Sequence, residues 1–127
     1  MNGRIVVIDD DEDILRVAEL TLKTLGGFEV TTFSSGEDAL DGLCAAAPDL
    51  VLLDVMMPKM DGPATLTAIK QRADLKHLPV VFMTAKIQPS ERREYEALGA
   101  AGVLAKPFDP TTLSQEVSRI WQIRLVS

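Results

Sequence analysis

Short runs of aliphatic residues recur along this chain, each ended by polar residues, and they alternate with segments of helical spacing. The run Leu50-Val51-Leu52-Leu53 is apolar throughout, which is typical of a strand buried on both faces of a parallel sheet. Pro48 precedes this run, while Pro58 and Gly62 follow Asp54, the acid that ends it. Since such a strand has no polar face that could be exposed to solvent, the pattern predicts a sheet that is covered on both faces.

The whole chain extends this pattern into five strands and five helices. The predicted strands are Ile5–Ile8, Glu29–Phe33, Leu50–Leu53, Val80–Met83 and Gly102–Ala105. The predicted helices run from an Asp11 cap to Leu25, from a Ser34 or Ser35 cap through Ala47, from Pro63 to Arg72, from Ser90 to Leu98, and from Pro110 to Ile123 after an Asp109 cap. Parallel strands with short connections need a helix to return the chain. The predicted fold class is therefore α/β, a parallel sheet with helices on both faces.

Length and charge limit the possible functions. A chain of 127 residues is the size of one domain, so we expect residues 1–127 to form a single domain without a separate output domain. The net charge of −6 argues against a nucleic-acid-binding protein, which would need a basic face. Part of that charge lies in an acidic run at 9–13, where we expect a surface that attracts cations.

The single cysteine and the amino terminus predict a location. Cys44 has no second cysteine to pair with, and it follows the apolar pattern of its helix, so we expect a reduced core residue. The apolar run after Arg4 is too short for a signal peptide or a membrane span. A cytoplasmic protein without membrane contact is the expectation.

Five polar residues are predicted to meet where the parallel strands end. They are Asp9, Asp10, Asp54, Thr84 and Lys106. Crowded carboxylates raise each other's pKa unless a cation neutralises them, and Mg²⁺ suits oxygen ligands that leave room for phosphate. A cation, a lysine and a hydroxyl around one carboxylate are also what phosphoryl transfer to that carboxylate requires. Taken singly, the acids could cap a helix, the threonine could be an ordinary strand residue and the lysine a solvated one.

Four motifs carry a family resemblance. They are Val7-Ile8-Asp9-Asp10-Asp11, Leu53-Asp54-Val55-Met56-Met57-Pro58-Lys59-Met60-Asp61-Gly62, Met83-Thr84-Ala85 and Ala105-Lys106-Pro107-Phe108. In this order, on successive strand ends, they resemble the receiver domain of bacterial two-component response regulators over the whole chain. The resemblance implies a flavodoxin-like (βα)5 fold, doubly wound, with strand order 2-1-3-4-5.

The resemblance also implies a role for each matching residue. Asp54 is the expected phosphoacceptor, taking a phosphoryl group from a histidine kinase or a histidine phosphotransfer protein. Asp10 is the expected direct ligand of Mg²⁺ and Asp9 a ligand through water. The carboxylate of Asp54 and the main-chain carbonyl of Met56 complete the expected metal ligands.

The two remaining motif residues are expected to contact the phosphoryl group. Thr84 would hydrogen-bond it and Lys106 would pair with its charge, with the Lys106-Pro107 bond in the cis form. Such a domain is a signalling protein and catalyses only its own phosphoryl transfer and dephosphorylation.

Output is expected through protein contact on the fourth helix, the fifth strand and the fifth helix. One residue departs from the family pattern there, because Val103 stands where receivers usually have an aromatic that swings inward. Valine is stiff at χ1 and has no ring, so the usual relay from threonine to aromatic is in question. Thr84 with the loop at 85–89, or the helix residue Tyr95, could report the switch instead.

Several alternatives stay open at this stage. The strongest rival is a phosphorylation-independent binding module of the same fold, and a phosphohydrolase with an aspartyl nucleophile is another. The domain could contact an effector directly or pass the phosphoryl group on. Met56 and Lys86 are candidates to tune the lifetime of an acyl phosphate, while His77 in its charged loop is expected to be solvated.

Overall fold

The computed structural model describes residues 3–85 and 88–126, the last five of these by their backbone alone. The strands are β1 (Arg4–Ile8), β2 (Glu29–Phe33), β3 (Leu50–Asp54), β4 (Val80–Thr84) and β5 (Gly102–Ala105). The helices are α1 (Glu12–Thr24), α2 (Gly36–Ala46), α3 (Gly62–Gln71), α4 (Pro89–Ala97) and α5 (Leu113–Val126).

All five strands are parallel and lie in the order β2-β1-β3-β4-β5, which confirms the predicted doubly wound fold. Every residue of β3 and of β4 is buried, as expected for strands covered on both faces. Ile8 pairs with Leu53, and Asp54 pairs with Met83. The carboxyl ends of the central strands therefore reach one edge of the sheet together.

Alternate side chains of the strands pack into two separate hydrophobic cores, one on each face of the sheet. The α1/α5 core holds Val7, Leu52, Val81 and Leu104 under α1 and α5. The α2/α3 core holds Ile8, Leu53 and Phe82 under α2 and α3. Because successive strand side chains point to opposite faces, the central strands β1, β3 and β4 contribute to both cores. Among the described helices, none combines the length and the hydropathy that crossing a membrane requires.

Side-chain caps fix where the first three helices begin. The Asp11 carboxylate accepts hydrogen bonds from the backbone N–H groups of Asp13 and Ile14, at 2.9 and 3.4 Å, which confirms it as the cap of α1. Of the two candidate serines, Ser35 caps α2 through the N–H of Asp38. The cap of α3 is Asp61, directly before the turn that carries the proline predicted for its first positions.

Both predicted bounds of the last helix were wrong. The Asp109 carboxylate accepts from the N–H and the hydroxyl of Thr111, at 2.9 and 2.7 Å, so it stabilises a local turn. That turn takes up the stretch predicted as the first turn of the helix, and α5 begins only at Leu113 and extends to Val126.

The prediction of a buried cysteine was also wrong, because Cys44 is exposed. The buried stripe of α2 consists of Gly36, Ala39 and Leu43. Each helical residue is rotated by about 100° from the one before it, so Cys44 lies beside the stripe rather than on it.

Gly62 is a position where the fold leaves no room for a side chain. A Cβ atom there would lie 2.5 Å from the carbonyl oxygen of Asp54, 2.7 Å from the Cα of Val55 and 3.1 Å from a ring carbon of Phe82. We predict that Gly62→Ala lowers the free energy of unfolding by about 1–3 kcal/mol, measured by urea denaturation, because two of these atoms belong to the backbone and cannot rotate away.

Gly102→Ala is the matched control. A Cβ there would meet only side-chain atoms of Ile120, at 3.5 Å or more, which is ordinary van der Waals contact. An equal loss of stability in both variants would contradict the packing argument.

Candidate functional site

The polar residues predicted to meet at the carboxyl edge of the sheet do so. Asp9 directly follows β1, Asp54 ends β3 and Thr84 ends β4. All three are buried, with relative exposures of 0%, 4% and 5%. The backbone N–H of Asp9 donates to the carbonyl of Phe33 at 3.1 Å, so the pairing of β1 with β2 continues to the acid itself and holds its backbone in place.

Lys106 reaches this edge from the residue after β5 and joins the two buried acids. Its Nζ donates to Oδ2 of Asp9 at 2.8 Å and lies 3.2 Å from Oδ1 of Asp54. The backbone N–H of Lys106 donates to the carbonyl of Thr84 at 3.0 Å, and the Lys106-Pro107 peptide bond is cis, as the resemblance implied. One ammonium group thus lies between two carboxylates that come from neighbouring strands.

A third carboxylate completes a cluster open to solvent on one side. Asp10 is exposed, and one oxygen from each of Asp9, Asp10 and Asp54 lies within 4.8 Å of the others. The backbone N–H of Met56 hydrogen-bonds the Asp54 carboxylate, while the Met56 side chain is 78% exposed. Lys86, named above as a rate-tuning candidate, lies outside the described residues.

Two other residues singled out from the sequence lie away from the cluster. His77 is exposed in the connection between α3 and β4, as expected for a solvated histidine. Tyr95 is partly buried on α4, where its ring packs against Phe82.

Comparison with known protein families identifies the family of this chain. Residues 5–118 match the family described as response regulator receiver domain. The chain belongs to this family. It is therefore a receiver domain of a two-component system, a signalling domain rather than an ordinary enzyme.

Individual relatives agree with the family match. The chain is 35% identical over 120 residues to the alkaline phosphatase synthesis transcriptional regulatory protein PhoP of Bacillus subtilis, covering 94% of this chain and 49% of PhoP. It is 37% identical over 126 residues to the response regulator PleD of Caulobacter vibrioides, covering 99% of this chain and 28% of PleD. The receiver thus spans half or less of these two relatives.

A solved structure matches the receiver along its length. The chemotaxis response regulator CheY4 of Vibrio cholerae superposes with a TM-score of 0.86 at 32% sequence identity, covering 94% of this chain and 99% of that one. The parallel sheet with strand order 2-1-3-4-5 is thereby placed among solved structures of the same family.

Burial dominates the electrostatics of Asp54. Loss of hydration, followed by repulsion from Asp9, raises the pKa of the Asp54 carboxyl above its ordinary value, while Lys106 and the N–H of Met56 act in the opposite sense. For Lys106, burial lowers the pKa, but the hydrogen bond and charge of Asp9 and the charge of Asp54 outweigh it and raise the pKa overall. The lysine therefore stays charged, and ionised Asp54 is held at a free-energy cost.

The chemistry of the donor set fits a hard divalent cation. Three ionised carboxylates and one ammonium group leave two negative charges at the receiver's cluster, which one divalent ion would balance. All the side-chain donors are oxygens, and the exposed Asp10 leaves that side open to water, which Mg²⁺ retains in its coordination shell.

Sequence reasoning missed two hydrogen bonds that hold the acids in place. The N–H of Asp11 donates to Oδ1 of Asp9 at 2.9 Å, and the N–H of Met56 binds the Asp54 carboxylate. The first has a recognisable signal, since aspartate side chains commonly accept from the N–H two residues on. The sequence also assigned Lys106 to the phosphoryl group alone, whereas here its ammonium group pairs with both buried acids.

We predict that Asp54→Asn raises the melting temperature of the metal-free receiver at neutral pH, in a calorimetric measurement. The ionised carboxylate is disfavoured in the folded state, so removing its charge removes a destabilising contribution. Because the folded state keeps its proton to higher pH than the unfolded state, the advantage of the variant is absent in acid and grows as the pH rises above the ordinary pKa of 3.8.

Glu94→Gln, which removes an exposed charge from α4, is the control for this measurement and should leave the melting temperature almost unchanged. A lower melting temperature in Asp54→Asn at neutral pH would contradict the electrostatic account.

We also predict that Mg²⁺ stabilises the wild type, and that Asp10→Asn weakens this effect. A ligand at about ten times its dissociation constant raises the free energy of unfolding by about 1.4 kcal/mol. Asp10 is suitable because it is exposed and is a member of the cluster. The measurement is melting temperature against MgCl2 concentration, with Glu12→Gln, an exposed acid of the first turn of α1, as control. Equal responses of the two variants would exclude Asp10 as a ligand.

Proposed function

We propose that this receiver domain accepts a phosphoryl group on Asp54 from a phosphohistidine of a kinase or phosphotransfer protein. In that step an oxygen of the Asp54 carboxylate bonds to phosphorus as the P–N bond breaks, and the imidazole leaves with the bonding electron pair and takes up a proton. The observation that supports the proposal is the position of the carboxylate, which is buried beside the ammonium group of Lys106 and next to two further acids.

The residues around Asp54 are suited to the charge of an incoming phosphoryl group. Lys106 lies 3.2 Å from an Asp54 oxygen and can turn from Asp9 toward a phosphoryl oxygen. The hydroxyl of Thr84, at the end of the neighbouring strand, is assigned a hydrogen bond to the same group. The N–H of Met56 holds the carboxylate and so limits its rotation.

We assign Mg²⁺ to Asp9, Asp10, Asp54 and the main-chain carbonyl of Met56. When bound, the ion supplies charge neutralisation for the phosphoryl oxygens. Asp9 and Asp54, which would help to hold the ion, are also the two acids that pair with Lys106, so the ammonium group lies beside the position of the phosphoryl group.

The proposed output is a change in protein binding on the surface formed by α4, β5 and α5. Exposed polar side chains of α4 support a protein contact there, namely Ser90, Arg92, Arg93 and Glu96. A free-energy bias of about 5.5 kcal/mol moves a two-state surface from about 1:99 to 99:1. A cytoplasmic location stays a prediction.

The test is incubation with acetyl phosphate and MgCl2, followed by intact mass spectrometry. We expect the wild type to gain one phosphoryl group, Asp54→Asn to gain none, and EDTA to abolish the gain. Asp41→Asn, an exposed acid on α2, is the matched control and should react as the wild type does. Equal labelling of Asp54→Asn would overturn the proposal, as would a wild type that neither reacts nor binds beryllofluoride.

A further inference from the structure

Helix α4 is anchored to the domain differently from α1, α2 and α3. Those three helices each contribute at least two buried side chains to a core, whereas no residue of α4 is buried. Its contribution to the α2/α3 core is the partly buried ring of Tyr95. The packing of α4 therefore depends largely on the contact of one side chain, and few buried apolar contacts are typical of an element of low local stability.

The ring of Tyr95 packs edge-on against Phe82 of β4. The ring centroids are 5.0 Å apart and the ring planes are inclined at 62°. Edge-to-face ring pairs of this kind attract each other beyond the apolar area that they bury. Phe82 itself is completely buried, so its ring cannot move without moving a neighbour.

On another side, the same Phe82 ring lies against the turn that follows Asp54. Its nearest ring carbon is 3.1 Å from the position of a Cβ on Gly62, and that position is also 2.5 Å from the carbonyl oxygen of Asp54. The N–H of Gly62 donates to the carbonyl of Val55 at 2.9 Å, which closes the turn on the residue after Asp54. One ring thus lies beside Gly62, in the turn after the candidate phosphoacceptor, and also packs against Tyr95 of α4.

The neighbouring strand β5 has no aromatic side chain that could pack against Phe82. Val103 of β5 is the register partner of Phe82 and therefore shares its face of the sheet. Valine is small and stiff at χ1, so it cannot follow a displacement of the ring by changing rotamer at low cost. Tyr95, on a weakly anchored helix, is the neighbour that can follow.

We propose that the contact between Phe82 and Tyr95 couples the occupancy of the Asp54 site to the position of α4. A phosphoryl group on Asp54 moves the turn at Val55–Gly62, and the close packing at Gly62 passes the movement to the Phe82 ring. Tyr95 follows the ring, and α4 moves with it because no fully buried side chain holds the helix back. This inference rests on the proposed phosphorylation of Asp54 and specifies how that site acts on the α4 surface.

The test compares amide NMR spectra before and after addition of beryllofluoride with Mg²⁺. Tyr95→Leu keeps an apolar side chain and removes the ring, while Tyr95→Phe keeps the ring and is the matched control. In the wild type and in Tyr95→Phe we expect shifts both at the site, in Asp54, Val55 and Gly62, and along α4. In Tyr95→Leu the site shifts should persist, which also shows that the variant is folded, while the α4 shifts should fall to less than half.

The failures of the two proposals are distinguishable. If the α4 shifts of Tyr95→Leu equal those of the wild type, or if wild-type α4 does not respond although the site does, the coupling through Tyr95 is wrong. If the site amides of the wild type do not respond to beryllofluoride, the proposed function fails, and the coupling fails with it.

Discussion

Two buried carboxylates that share one ammonium group are the interaction on which the rest of this structure depends. Asp9 follows β1, Asp54 ends β3 and Lys106 follows β5, so their ion pairs link distant parts of the chain at one edge of the sheet. Burial and repulsion from Asp9 raise the pKa of Asp54, so ionised Asp54 carries a free-energy cost. The site is therefore a cluster with excess negative charge, whose free-energy cost a bound cation would offset.

Most of this arrangement could be predicted from the sequence because it depends on strand ends. Apolar runs such as Leu50–Leu53 fixed the strands, parallel pairing aligned their carboxyl ends, and the residues that follow had to meet there. The partners of Lys106 could not be predicted, since they depend on a rotamer that reaches acids two and three strands away. The start of α5 was missed because Asp109 has both a capping and a turn-forming geometry, and only packing decides between them.

The same structure explains why α4 differs from the better buried helices. The sequence alone predicted a charged helix here, and Val103 where receivers usually have an aromatic residue. Tyr95 was then one of several residues that could report the switch. The structure adds that Tyr95 packs against Phe82, and that the Phe82 ring lies beside Gly62 in the turn after Asp54. A receiver that lacks an aromatic on β5 thus still has an aromatic contact between the site and its proposed output surface.

The most direct test of the central claim locates the phosphoryl group on one carboxylate. The receiver is treated with acetyl phosphate and Mg²⁺, reduced with borohydride, which converts an aspartyl phosphate to homoserine, and digested for tandem mass spectrometry. The account predicts homoserine at position 54 alone. Asp54 ends the central strand beside Lys106, whereas both oxygens of Asp9 already accept hydrogen bonds, from the N–H of Asp11 and from Lys106, and Asp10 is exposed. Reduction at Asp9 or Asp10, or label retained on His77, would contradict it.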